Sequence, residues 1–92
     1  MKKAIIVGVE LNNMKYDIDY SLDELTNLAK SLEIDILSRV TQKLDSINPK
    51  FYIGSGKVEE LKNEVIALDI DTVIFDDELS PSQIRNLEKE LE

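Results

Sequence analysis

Short apolar runs separated by segments of helical spacing constrain this chain more than any other feature of its sequence. Residues 4–9 read Ala4-Ile5-Ile6-Val7-Gly8-Val9, and residues 72–75 read Thr72-Val73-Ile74-Phe75. Both are rich in β-branched residues and lack polar alternation, as expected of strands buried on both faces of a parallel sheet. Residues 34–41 differ: Ile34, Ile36 and Val40 are expected on one side, with Asp35, Arg39 and Thr41 on the other. That half-polar alternation suits an edge strand.

The intervening segments carry helix signals. Ser21 with Glu24 three residues on reads as a capping box, followed by an apolar face of Leu22, Leu25, Leu28, Ala29 and Leu32. A second helix is expected to bury Val58, Leu61, Val65 and Leu68. Ser80-Pro81-Ser82-Gln83 is another capping box, with proline at the first helical position, ahead of a stripe of Ile84, Leu87 and Leu91. The order βαβαβα predicts an α/β fold, a three-layer open parallel sheet. Right-handed crossovers predict strand order 2-1-3, with the first helix on one face and the later two on the other. A helix after the third strand ordinarily leads to another strand, so the chain is expected to be truncated before a further strand. The strand at 72–75 is then an exposed edge, and weak homodimer formation through it is expected.

Ninety-two residues suit one domain, residues 1–92. A hydrophobic fraction of 42% is too high for a disordered chain. With no cysteine and no histidine, disulfides, thiol catalysis, Ser-His-Asp chemistry and ordinary zinc sites are excluded. The apolar run after Lys2 and Lys3 ends at Glu10, too short for a secretory core, and nothing approaches the roughly 20 apolar residues of a membrane span. A soluble, cytoplasmic protein is expected.

The net charge of −8 argues against a dedicated nucleic-acid binder. Yet between residues 39 and 57 the cations Arg39, Lys43, Lys50 and Lys57 face only Asp45, leaving one local positive region able to meet phosphate. Within it, Gly54-Ser55-Gly56-Lys57 opens a helix, where backbone N–H groups and the helix dipole favour an anion. A Walker A loop needs glycine five residues before its Gly-Lys and Ser or Thr after it. Phe51 and Val58 stand at those places, so the hydroxyl that would hold Mg²⁺ is missing. The loop is either a phosphate cradle without hydrolysis or a turn joining the second strand to its crossover helix. Asp76 and Asp77, at the end of the third strand, are either weak Mg²⁺ ligands or a solvated acidic turn beside a helix start. Tyr16, Tyr20, Phe51 and Tyr52 are candidate base-stacking rings, although rings beside a helix start more often anchor a loop.

Two longer motifs are more specific than any of these. Thr41-Gln42-Lys43, Pro49 and residues 52–61, Tyr52-Ile53-Gly54-Ser55-Gly56-Lys57-Val58-Glu59-Glu60-Leu61, form the first. Residues 75–83, Phe75-Asp76-Asp77-Glu78-Leu79-Ser80-Pro81-Ser82-Gln83, running into Arg85-Asn86-Leu87-Glu88, form the second. Together with the opening strand and Ser21-Leu22-Asp23-Glu24-Leu25, they make the chain resemble the N-terminal domain of HflX-type ribosome-associated GTPases. That resemblance implies a three-part protein: this α/β domain, a helical hairpin and a Ras-like GTP-binding domain. It implies the large ribosomal subunit as partner, with GTP and Mg²⁺ used by the later domain and ATP as a further candidate ligand of the N-terminal region. None of the family's guanine-nucleotide motifs falls within these 92 residues, so no catalytic residue and no resident cofactor is assigned here. The preferred reading is a ribosome-facing, regulatory module, with Arg39, Lys43, Lys50 and Lys57 toward RNA. The alternatives are an ATP-binding domain using Gly54, Ser55, Gly56 and Lys57, and a receiver-like or flavodoxin-like interaction domain.

Overall fold

The computed structural model describes residues 1–12 and 17–92. Its elements run β1 (Lys2–Leu11), α1 (Ile18–Ser31), β2 (Ile34–Leu44), α2 (Ser55–Ala67), β3 (Thr72–Phe75) and α3 (Pro81–Leu91). The strands form one parallel sheet in the order β2-β1-β3. The α/β fold and the strand order expected from crossover handedness are therefore both present.

β1 is the centre of the molecule. It pairs on both edges, and its residues 4–9 are all buried. Ile5, Val7 and Val9 face α2 and α3, where they join Val40, Phe51, Ile53, Val58, Leu61 and Leu87 in one core. Ile6 faces the opposite side and packs with Ile18 and Leu22 of α1. Five of the largest side chains, Ile5, Ile6, Leu22, Ile53 and Leu61, are almost wholly excluded from solvent. Each such burial stabilises by about 1.5–3 kcal/mol relative to exposure.

Three expectations need correction. Ile36 and Val40 do not share a face. Pairing runs from Ala4↔Ile36 to Ile5↔Ser38, so Leu37 is an extra residue, a β-bulge. One inserted residue reverses every later side chain. Ile36 therefore packs beside α1, whereas Val40 enters the α2/α3 core. The second correction concerns α1, which begins one turn before Ser21. Asp17 is its N-cap, accepting a hydrogen bond from the Tyr20 backbone N–H at 3.1 Å. The earlier start brings Ile18 into the core, an apolar gain that the Ser21 box would forgo. The third is the apolar stripes, which are only partly covered. Leu22 and Ala29 are buried, but Leu28, Leu32 and Ile84 are largely exposed and Leu68 is partly so. On α3 the buried partner of Leu87 is Gln83, whose amide is consumed by hydrogen bonds.

The capping box of Ser80 and Gln83 is complete, with both reciprocal hydrogen bonds and proline in the first turn. β3 ends the sheet, half-buried, with its outer edge unpaired among the described residues.

Gly8 marks the tightest approach of α1 to the sheet. A methyl group there would lie 2.7 Å from Ile18 Cδ1 and 3.2 Å from Leu22 Cδ2. Gly8→Val is expected to destabilise the chain by about 1–3 kcal/mol through overpacking, read from the urea midpoint.

Candidate functional site

The segment between β2 and α2 is held by side chains from both sides. Asn48 and Tyr52 exchange backbone hydrogen bonds of 3.2 and 2.8 Å. The Asn48 side-chain oxygen also accepts from the backbone N–H groups of Lys50 and Phe51. Tyr52 adopts a φ of 70°, unusual for a bulky residue, and meets Phe75 edge to face at 6.1 Å. From α3, the Gln83 amide nitrogen donates to the Asn48 carbonyl and the Asn86 amide nitrogen to the Lys50 carbonyl, each at 3.0 Å. Phe51 and Ile53 enter the core beneath. The two sequence motifs thus meet in space, and each fixes the other.

Gly54 is the N-cap of α2, with extended backbone and no side-chain cap. Its N–H donates to Gln42 Oε1 at 2.9 Å, and an added Cβ would stand 3.0 Å from Gln42 Nε2. The first glycine therefore serves close packing against β2. Gly56 has open space around its Cα, and Ser55 is exposed. Lys57 pairs with Glu60 at 2.9 Å, and its side chain is three-quarters covered. Val58, where a Walker loop has its hydroxyl, is buried in the core.

The other cations are distributed around β2. Arg39 pairs with Asp23 of α1 at 2.6 Å, and Lys43 with Glu10 of β1 at 3.4 Å. Lys50 lies over the Phe51 ring, 5.1 Å from its centroid. Arg39 and Lys57 border a shallow cleft of about 490 Å³ beside β2, which Glu60 and Glu64 also line. Three of the four basic residues thus already face carboxylates, which lowers the local potential available to phosphate.

Asp76 and Asp77 diverge. Asp76 accepts a hydrogen bond from Ser21 Oγ at 2.7 Å on the α1 side, while Asp77 lines a cleft beside α3. Gly54 lies on the α2 side with Gln42, so the glycine loop and Asp76 share the carboxyl end of the sheet but stand on opposite faces. Among the described residues no group of three or more acidic side chains is placed to hold a metal ion. Of the candidate rings, Tyr16 lies outside the described residues, Phe51 is buried, and Tyr52 is occupied by Phe75. Tyr20 is exposed, and hydrogen bonding to Glu24 raises the pKa of its phenol.

The family model described as GTP-binding GTPase N-terminal matches residues 19–92. The chain belongs to that family. Among its relatives, GTPase HflX of Flavobacterium psychrophilum is 39% identical over 89 residues, covering 96% of this chain and 22% of that protein. GTPase HflX of Caldanaerobacter subterraneus is 45% identical over 90 residues, covering 98% and 20%. GTPase HflX of Escherichia coli is 33% identical over 88 residues, covering 96% and 20%. The chain thus spans about a fifth of the length of these curated relatives. The resemblance to the HflX N-terminal domain holds over nearly the whole chain, and the chain is of an HflX-type GTP-binding protein. No described helix is long and apolar enough to cross a membrane.

Sequence reasoning passed over the residues that hold the site together: Gln42, Asn48, Gln83 and Asn86. Their signal was their place within or beside the two motifs. Amides that serve as clamps cannot be told from solvated amides without the fold. Gln42→Ala is expected to cost about 1 kcal/mol by removing the acceptor of the Gly54 N–H. Gly54→Ala should be better tolerated in the Gln42→Ala background, and a double-mutant cycle in urea reads that coupling.

Proposed function

We propose that residues 1–92 form one N-terminal, ribosome-facing and regulatory domain of an HflX-type GTP-binding protein, and that this domain does not itself hydrolyse GTP. The observation that carries this reading is the condition of its helix-opening glycine loop. Lys57 is held by Glu60, Val58 is buried where a Mg²⁺-holding hydroxyl would be needed, and Gly54 is anchored to Gln42. Such a loop suits a rigid recognition surface better than phosphoryl transfer, which needs a metal-held phosphate and a positioned nucleophile. GTP and Mg²⁺ chemistry belongs, in this reading, to a separate part of the GTPase. A cytoplasmic location goes with a ribosomal partner.

The large ribosomal subunit is the partner, with Arg39, Lys43, Lys50 and Lys57 toward RNA. Phosphates would there replace the carboxylate partners of Arg39, Lys43 and Lys57, an exchange of one ion pair for another. In a chimera carrying this chain in place of the matched part of the Escherichia coli relative, Lys43→Glu with Lys57→Glu should reduce co-sedimentation with ribosomes. The reduction should be larger at low salt. Unchanged pelleting would count against an RNA-facing role for these residues.

A second reading rests on the uncapped start of α2 and the open space at Gly56: ATP phosphates over Gly54, Ser55 and Gly56, with Lys57 as counter-charge. A ligand at 100 times its Kd stabilises by about 2.7 kcal/mol, which a thermal scan resolves. On the preferred reading, millimolar ATP, GTP and Mg²⁺ leave the Tm of the chain unchanged. A saturable rise that disappears in Lys57→Ala would establish the second reading. Self-association through residues 72–75 is weak in either case, because the acidic residues beside β3 would face their own copies.

A further inference from the structure

β3 is incompletely covered on more than one side. It stands at the end of the sheet, and its four residues are only half-buried. α1 packs over β1 and β2, so Ile74, opposite Ile6, is left half-exposed. On the other face an apolar cleft of about 720 Å³ opens beside the strand. Val73 and Phe75 form one wall, with Val65 of α2 and Ile84 and Leu91 of α3 opposite. Ile84 is 46% exposed, a large apolar side chain that nothing in the chain covers.

The charges around this cleft are of one sign. Asp77, Glu88 and Glu92 line it, no lysine or arginine does, and none of the three is in an ion pair among the described residues. Unpaired backbone groups along an edge, beside an apolar trough, are what strand addition requires. The acidic lining then selects the occupant. A second copy would set Asp77, Glu88 and Glu92 against like charges in a chain of net charge −8, an arrangement that costs affinity.

We propose that the outer edge of β3 and the apolar cleft beside it accept an extended polypeptide segment as a fourth strand, apolar at alternate residues and carrying lysine or arginine at its ends. Backbone hydrogen bonds to β3 supply register, alternate side chains fill the cleft beside Val73 and Phe75, and the terminal cations meet Asp77 and Glu88. The glycine loop and the basic residues around β2 take no part, so this inference stands independently of the ribosome and nucleotide readings.

The test uses the 92-residue chain and two synthetic peptides of about ten residues, enough to span the four of β3 with both flanks. Both carry alternating valine and threonine; one has lysines at its ends and the other glutamates. Titration into ¹⁵N-labelled chain should move the amide resonances of residues 71–79 and of α3, with the lysine-ended peptide binding at least about tenfold more tightly. Its affinity should fall as salt rises. Ile84→Lys, a change at an exposed position that should leave the fold intact, should abolish binding while the Tm stays near that of the parent chain. Equal binding of the two peptides, shifts that map away from β3, no binding by either, or occupation of the edge by a second copy in sedimentation velocity would each overturn the proposal.

Discussion

β1 is the constraint on which the other elements depend. It is paired along both edges and buried on both faces, so each of its residues 4–9 reports to a specific neighbour. Odd-numbered side chains from Ile5 to Val9 build the core under α2 and α3, and Ile6 builds the smaller one under α1. Gly8 leaves room for Ile18. A strand in this position cannot slip, because a one-residue shift would exchange the contents of the two cores. β2 resolves its own conflict with β1 through the bulge at Leu37, which lets Ile36 serve one core and Val40 the other.

The same division explains the electrostatics around the candidate site. Because β2 alternates between faces, Arg39 and Lys43 meet Asp23 and Glu10 on the α1 side, whereas Gln42 reaches Gly54 on the α2 side. A run of basic residues in sequence becomes a ring of separate ion pairs in space. The 48–54 segment is correspondingly rigid: Asn48 organises its turn, Gln83 and Asn86 tie it to α3, and Phe51 and Ile53 anchor it below. Neutral amides do this work, so the geometry of the segment should depend little on salt or pH.

The buried character of β1 and β3 and the parallel order 2-1-3 were legible because apolar runs and crossover handedness leave few alternatives. The Ser80 capping box was legible because each of its hydrogen bonds is local to four consecutive residues. The Ser21 box was misread because an equally good local cap, Asp17, lies one turn earlier, and the burial of Ile18 decides between them. Ile84 looked buried because helical spacing places it on the stripe, but no element reaches over it. The glycine loop was legible as a motif. Its electrostatic state was not, since the Glu60 that occupies Lys57 lies on the same helix as several other carboxylates of equal sequence appeal.

By itself the sequence determined the class of fold, the number and order of its elements, and the family, because these rest on periodicity, local caps and extended motifs. Only the tertiary structure decided which face each β2 side chain serves, which cations are already paired, and that the glycine loop and Asp76 stand on opposite sides of the sheet. The reason is physical: periodicity and capping act over three or four neighbours, whereas a bulge, an ion pair across strands and an amide clamp depend on residues tens of positions apart.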